Sequence, residues 1–294
     1  MFENKKVLVT GANGMIGRSL VKMLEAQGAI VTTTDLPTDL RDRSACAQVC
    51  EGQNYVFHLA GIKGSPARCM KAPASFSVPM IQFNANMVEA AYNAGVEWFL
   101  YPSSVGVYHP AEVFHEDSVW ETFPSKNDWF AGWAKRIGEM NVEAYMKEYE
   151  WNQCSIVRPA NVYGPHDNFG QWSMVVPSLI KKAMENEVLE VWGDGSPIRD
   201  LIYTDDVAEG MLHAVENKIT EPLNLGSGTG ITIREVAEII ADHFGREIAW
   251  DTTKPMGDRK RLMSMDRAAS HGFVPKTSLK DGILKTIEWY KSTV

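Results

Sequence analysis

The sequence predicts an α/β fold: a doubly wound parallel sheet of the Rossmann type with a smaller carboxyl-terminal substrate lobe. Three observations carry that expectation. Short apolar runs alternate with helical patterns along most of the chain, the first run opens into a glycine-rich turn, and the rhythm changes after His166. With 294 residues, 45% of them hydrophobic and 22% charged, the chain has enough apolar material for a large core.

The glycine turn lies in Lys5 to Gly17, KKVLVTGANGMIG. Val7, Leu8 and Val9 form a β-rich apolar run ending in Thr10, and Gly11, Gly14 and Gly17 follow at intervals of three. Met15 to Gln27 carries a helical pattern, with Ile16, Leu20, Met23 and Leu24 on one face and Gly28 as its stop. Strand, glycine turn and helix in this order suit a dinucleotide. The glycines let the turn tighten and the backbone approach a pyrophosphate, while the helix N-terminus offers unpaired N–H groups. A second apolar run, Ala29 to Thr34, ends at Asp35, 18 residues past Gly17, where an acid reaches an adenosine ribose hydroxyl. That carboxylate favours NAD, because it repels a 2′-phosphate; Arg18 and Arg41 keep NADP open.

Further along, Ser44 to Cys50 reads as a brief helix and Tyr55 to Leu59 as a third strand ending in small residues. His58 is expected to be a packed histidine. Lys63 to Pro79 reads as an irregular loop, Ile81 to Asn93 as a helix closed by Gly95, and Glu97 to Ser103 as a strand. That strand is expected to bring Ser103, Ser104 and Tyr108 to the sheet's carboxyl edge, before a surface loop over Pro110 to Asn127. Asp128 to Glu150 is a long helix whose stripe of Trp129, Trp133, Ile137 and Met140 serves as core or subunit contact. Cys154 to Arg158 is the next strand.

After His166 the pattern predicts a helix over Val175 to Asn186, strands at Val188 to Trp192, Asp200 to Tyr203 and Leu223 to Leu225, and a helix over Asp205 to Glu216. Asp205 and Asp206 are expected as its N-terminal caps. Thr232 and Glu235 form a capping box for a helix reaching Phe244, and the last helix runs from Leu279 to about Tyr290. The expected division is residues 1–163 with about 200–227 for the dinucleotide, and 164–199 with 228–294 for the substrate.

A net charge of −8 argues against nucleic acid and membrane surfaces as partners, and no segment has the apolar length of a membrane helix. Met1 to Thr10 reads as a strand and not a signal peptide. Cys46, Cys50, Cys69 and Cys154 lack metal-ligand spacing and are expected as reduced, partly buried thiols, so no metal is expected and a cytoplasmic setting is.

Several stretches together resemble the extended short-chain dehydrogenase/reductase family of NAD-dependent sugar epimerases and dehydratases. They are GANGMIG at Gly11 to Gly17, Asp35, HLAG from His58, SSVGVY from Ser103, AK at Ala134, RPANVYGP from Arg158 and RDLIYTDDVA from Arg199. They follow the family's order over nearly the whole chain. DLRD from Asp39 and NVYGPHDNF from Asn161 look most like the GDP-fucose synthase branch. The resemblance implies cofactor contacts from Gly11, Asn13, Gly14, Met15, Ile16, Gly17, Asp35, Asp39, Leu40, Leu59, Ala60, Gly61 and Lys135. It implies a nucleotide sugar as substrate, with Asn161 at its diphosphate and Arg199 and Arg261 pairing with the phosphates. It also implies a homodimer through a four-helix contact of Ile81 to Asn93 and Asp128 to Glu150.

The family's chemistry uses a Ser-Tyr-Lys set. By resemblance Ser104 polarises the sugar oxygen, and Lys135 binds the nicotinamide ribose and supplies positive charge beside the acid–base group. The tyrosine belongs four residues before the lysine, one helical turn away, and that residue is Ala131. Three explanations follow. Another group (Tyr108, His109, His115 or water) replaces it, the chain is an inactivated variant, or it holds nucleotides without turnover. The family's 4,6-dehydratases carry Asp-Glu where this chain has Val105 and Gly106, and fucose synthases use a cysteine and a histidine where it has Gly106 and Met174. Simple hydride transfer on a nucleotide sugar remains: oxidation, keto-sugar reduction, or both in turn as an epimerase.

Overall fold

The computed structural model describes residues 1–64, 66–254 and 257–294. Its central sheet has six parallel strands. The chain opens with β1 (Lys6–Thr10), α1 (Met15–Ala26), β2 (Ile30–Thr34), α2 (Arg43–Cys50), β3 (Tyr55–His58), α3 (Pro66–Lys71), α4 (Pro73–Asn93), β4 (Trp98–Pro102), α5 (Trp129–Tyr149) and β5 (Cys154–Pro159). Next come β6 (Asn161–Tyr163), α6 (Val175–Glu185), β7 (Val188–Trp192), β8 (Ile198–Tyr203), α7 (Thr204–Glu216) and β9 (Leu223–Leu225). The chain ends with β10 (Gly230–Thr232), α8 (Ile233–Phe244), β11 (Glu247–Asp251), β12 (Lys260–Arg261), α9 (Asp266–Ser270) and α10 (Leu279–Lys291). The sheet order is β2-β1-β3-β4-β5-β9, so the chain reverses direction between β1 and β3. In open α/β sheets ligands bind at the strands' carboxyl ends beside such a switch.

Continuous apolar strands result from burial on both faces. Val7 and Val9 point into one core, with Leu20 and Leu24 of α1 and Met211 of α7. Leu8, Val56 and Phe99 point the other way, onto Met80, Met87 and Val88 of α4 and Val142 of α5. A third core joins Val176, Leu179 and Ile180 of α6 to Val236 and Ile240 of α8 and Ile283 and Ile287 of α10. Beside it, β8 pairs with β6, β10 and β12, and β7 pairs with β11.

Three expectations need correction. Within Lys63 to Pro79, α3 and α4 replace the expected loop; Ser65 lies outside the described residues. Pro73 fits the first turn of α4, and the buried face of Phe76, Met80 and Phe83 outweighs the helix-breaking tendency of Pro79. Pro110 to Asn127 is not surface throughout, because Phe114 and Val119 enter the core and Glu116 is buried, accepting from Asn224 N at 3.1 Å. Asp205 and Asp206 occupy the first turn of α7, whose cap position belongs to Tyr203. Asp205 accepts from Ser19 Oγ at 2.6 Å, and Asp206 accepts from the backbone of Lys276 and Thr277 at 3.0 and 3.1 Å. These two acids hold tertiary contacts instead of capping their helix.

Candidate active site

The carboxyl ends of β1 and β3 form a cradle. Gly11 adopts φ +65°, and a Cβ there would stand 2.8 Å from the backbone of Leu59 and Ala60. At Gly17 a Cβ would collide with Gly11 O and the Ala12 backbone, so helix and turn touch because position 17 has no side chain. The first backbone N–H groups of α1, at Met15, Ile16 and Gly17, have no intrahelical acceptors and open toward the turn. Asp35 accepts from Asn13 N at 3.0 Å and from Leu36 N at 2.8 Å, which shapes the turn around its carboxylate. This arrangement fits a pyrophosphate followed by a ribose.

The other residues expected at the cofactor have these protein partners. Asp39 and Arg41 are exposed and hold each other, with Arg41 Nη2 2.6 Å from Asp39 Oδ2. That hydrogen-bonded guanidinium pulls the Asp39 carboxyl down to about 2. Leu40 is buried, and its carbonyl accepts from Cys46 Sγ and Asn86 Nδ2, both at 3.1 Å. Gly61 is exposed just beyond the cradle. Arg18 Nε donates to Asn13 O at 3.0 Å, on the outer side of the glycine turn.

Ser104 and Lys135 both lie by the carboxyl end of β4. The Ser104 hydroxyl caps a 3-10 turn, Val105–Val107, by accepting from Gly106 N at 3.1 Å. Lys135 Nζ donates to Pro102 O at 2.7 Å and lies 5.2 Å from the centre of the Tyr101 ring. Burial pushes the Lys135 ammonium down to about 8, against the attraction of Glu139. Ala131 is half-buried one turn earlier on α5, packed against the apolar cluster with Ala60 and Ile62.

Of the groups expected as substitutes for the absent tyrosine, Tyr108 is engaged elsewhere. Tyr108 is turned into the core and not presented at the sheet edge: its hydroxyl donates to Asn224 Oδ1 at 2.6 Å and accepts from Arg158 Nη1 at 3.1 Å. Burial pushes its phenol well up. His109 and His115 are exposed, and His109 bonds Phe123 O at 3.1 Å through Nδ1. His58 is packed, as expected. Its Nδ1 meets Thr10 Oγ1 at 2.9 Å, its Nε2 meets Asn84 Oδ1 at 3.1 Å, and burial holds the ring neutral, at about 3. Asn84 Nδ2 in turn donates to Tyr101 OH at 3.0 Å, so a buried polar chain runs from the glycine strand to the ring under Lys135.

In the smaller sheet, Arg199 of β8 and Arg261 of β12 are register partners on adjacent parallel strands. Asn161 of β6 donates to Asp200 O at 3.0 Å, next in the chain to Arg199. Burial, and then the neighbouring Arg261 charge, lower the Arg199 guanidinium to about 10. Arg261 is enclosed between two carboxylates, with Nη2 2.5 Å from Asp128 Oδ2 and a second close contact to Asp258. Asp258 is further held by Asn127 Nδ2 at 2.6 Å.

Sequence reasoning missed Asp128, Asp258 and Asp200 as parts of this region. Asp200 is buried and accepts from Ser227 N at 2.7 Å, Ser227 Oγ at 2.8 Å and Met263 N at 3.3 Å, bracing the segments beside the arginines. Burial raises its carboxyl. The one sequence signal for Asp128 was its place three residues before Ala131, one turn along the same helical face.

Residues 7–226 match the model of the NAD dependent epimerase/dehydratase family. The chain is 32% identical to GDP-L-fucose synthase 1 of Arabidopsis thaliana, over 99% of this chain and 95% of that protein. It is 32% identical to the GDP-L-fucose synthase of Sinorhizobium fredii, over 100% and 98%. Among solved structures, a GDP-L-fucose synthetase from Naegleria fowleri bound to NADP superposes with a TM-score of 0.87 at 26% identity, covering 100% of this chain and 96% of that one.

Proposed function

The chain belongs to the NAD dependent epimerase/dehydratase family, and we propose that it moves a hydride between a nicotinamide cofactor and a nucleotide-linked sugar, with GDP as the nucleotide. GDP is chosen because the relatives named above make GDP-L-fucose. The observation that carries the reading is the pairing of two cradles about one serine and one lysine. The glycine turn at Gly11 to Gly17 suits a pyrophosphate, and the in-register arginines Arg199 and Arg261 suit a second diphosphate.

A bound nicotinamide supplies the two-electron hydride carrier. The residues of the chain do the rest. The N–H groups of α1 hold the cofactor pyrophosphate, and Asp35 takes the adenosine ribose, which favours NAD over NADP. Lys135 holds the nicotinamide ribose, and its charge favours an alkoxide-like sugar oxygen. Ser104 Oγ orients that oxygen, while Asn161, Arg199 and Arg261 grip the sugar diphosphate. The protein acts as a cytoplasmic homodimer through α4 and α5. The expected stripe supports that assembly, since Trp129 is 38% exposed and Met140 50%.

A second reading rests on Ala131: the chain holds cofactor and sugar without turnover. Reduced-nicotinamide absorbance, followed with NAD and a panel of GDP-, UDP- and dTDP-sugars, separates the two. The unmodified protein is expected to transfer hydride with a GDP-sugar. Silence beside an active Ala131→Tyr variant points to an inactivated enzyme, and silence from both with intact binding supports the second reading.

A further inference from the structure

Asp128 is the one buried carboxylate described beside both Ser104 and the vacated tyrosine position. It is 8% exposed and immediately precedes α5, three residues before Ala131. Gly106 separates it from Ser104. The point where a Gly106 Cβ would stand is 3.6 Å from Ser104 Oγ, 3.6 Å from Asp128 Cβ and 3.7 Å from Asp128 Cγ, so the two side chains flank the same small space. A missing side chain at position 106 keeps that space open.

We propose that the Asp128 carboxylate is the proton carrier that takes the role of the absent tyrosine; this rests on the hydride-transfer reading above. On oxidation, the sugar O–H bond breaks and its proton passes to an Asp128 oxygen. The carbon-bound hydrogen leaves with its electron pair to the nicotinamide, so the alcohol becomes a ketone and the cofactor is reduced. On reduction the same proton returns to the carbonyl oxygen.

Arg261 couples this step to substrate. In the structure its guanidinium is shared between Asp128 and Asp258. A sugar diphosphate draws that guanidinium toward itself, which frees the Asp128 carboxylate to meet the sugar hydroxyl. The base therefore becomes competent as the substrate seats.

The test compares Asp128→Asn, Ala131→Tyr and the double variant. GDP binding is read by calorimetry, NADH binding by fluorescence, and hydride transfer with the GDP-sugar panel by absorbance. Asp128→Asn is expected to bind NADH unchanged and GDP more tightly, because Arg261 loses a competing anion, while transfer falls by about 100-fold or more. Adding Ala131→Tyr to it is expected to restore transfer. If Asp128→Asn does not fold, Gly106→Ala replaces it: the added methyl makes ordinary contacts and fills the shared space. That variant is expected to bind NADH normally, to lose transfer in the native background and to keep it when combined with Ala131→Tyr.

Transfer by Asp128→Asn at the rate of the unmodified protein overturns the inference, as does unchanged transfer by Gly106→Ala. An inactive unmodified protein beside an active Ala131→Tyr overturns it together with the expected activity of this chain, which is then an inactivated enzyme, whereas full transfer by Asp128→Asn overturns the inference alone. Silence from both removes the reading and the inference together.

Discussion

Arg158 on β5 and Glu139 on α5 form a two-pronged ion pair sealed from solvent, with Nε 2.9 Å from Oε1 and Nη2 2.7 Å from Oε2. Glu139 lies one helical turn beyond Lys135, so the pair fixes the helix that carries the lysine against the sheet. The remaining Arg158 nitrogen donates to Glu116 O at 2.7 Å and Tyr108 OH at 3.1 Å, which ties in the segment after β4. Burial opposes the Arg158 charge, and Glu139 outweighs it, raising the guanidinium.

Removing one partner should cost far more than removing both. Glu139→Ala leaves a buried guanidinium without its anion and is expected to lower stability by about 3–5 kcal/mol, read as a displaced urea midpoint. A Glu139→Leu/Arg158→Met double variant is expected to recover most of that loss. Equal losses in single and double variants would count against the pair as the cause.

Gly17→Ala is expected to abolish NADH binding and to destabilise the fold by about 1–3 kcal/mol, because the methyl meets rigid backbone at Gly11 and Ala12. Fluorescence titration and thermal melting report the two effects separately. Normal binding in this variant would refute the cradle.

Asp35→Ser tests cofactor choice. Removing the carboxylate that repels a 2′-phosphate is expected to shift the ratio of NADH to NADPH affinity toward NADPH by about tenfold, roughly 1.4 kcal/mol. The turn's own backbone bond, from Gly14 N to Gly11 O at 3.0 Å, does not depend on that carboxylate. An unchanged ratio, or tighter NADPH binding by the unmodified protein, would place the choice elsewhere, with Arg18 and Arg41 the first residues to substitute.

Lys135 predicts a pH dependence of definite sign. Its ammonium is pushed down to about 8 in the folded protein by burial, whereas the unfolded chain keeps lysine's ordinary, higher value. Below about pH 8 both states are charged and the burial penalty is constant. From about pH 8 up to the ordinary lysine range the unfolded state holds the extra proton, so this group makes folding more favourable as pH rises. Urea unfolding of the native protein minus Lys135→Met is expected to move in the native protein's favour across that window. NADH affinity is expected to fall across the same window, and a flat profile for both would contradict the shifted lysine.

Much of the architecture is legible because it is written at short range. Val7, Leu8 and Val9 are all apolar since both sheet faces are covered, and that marks a parallel strand. The Thr232–Glu235 capping box is visible in four consecutive residues, and both of its hydrogen bonds form, with Gly245 ending the helix at φ +63°. The start of α4 was hidden because proline, serine and alanine read as loop, while the burial of Phe76 and Met80 that decides the helix depends on α4 lying against the sheet and α5.

By itself, then, the sequence determined the parallel α/β sheet, the glycine turn after β1 and the absence of a tyrosine at position 131, because each is a matter of residue type within a strand, a turn or one helical period. Only the tertiary structure decided that Tyr108 turns inward onto Asn224, that Arg199 and Arg261 stand side by side, and that Asp128 and Ser104 flank Gly106. Those relationships join residues distant in the chain or separated by a turn. Their geometry is set by strand register and by which helix covers which face, and no local periodicity carries that information.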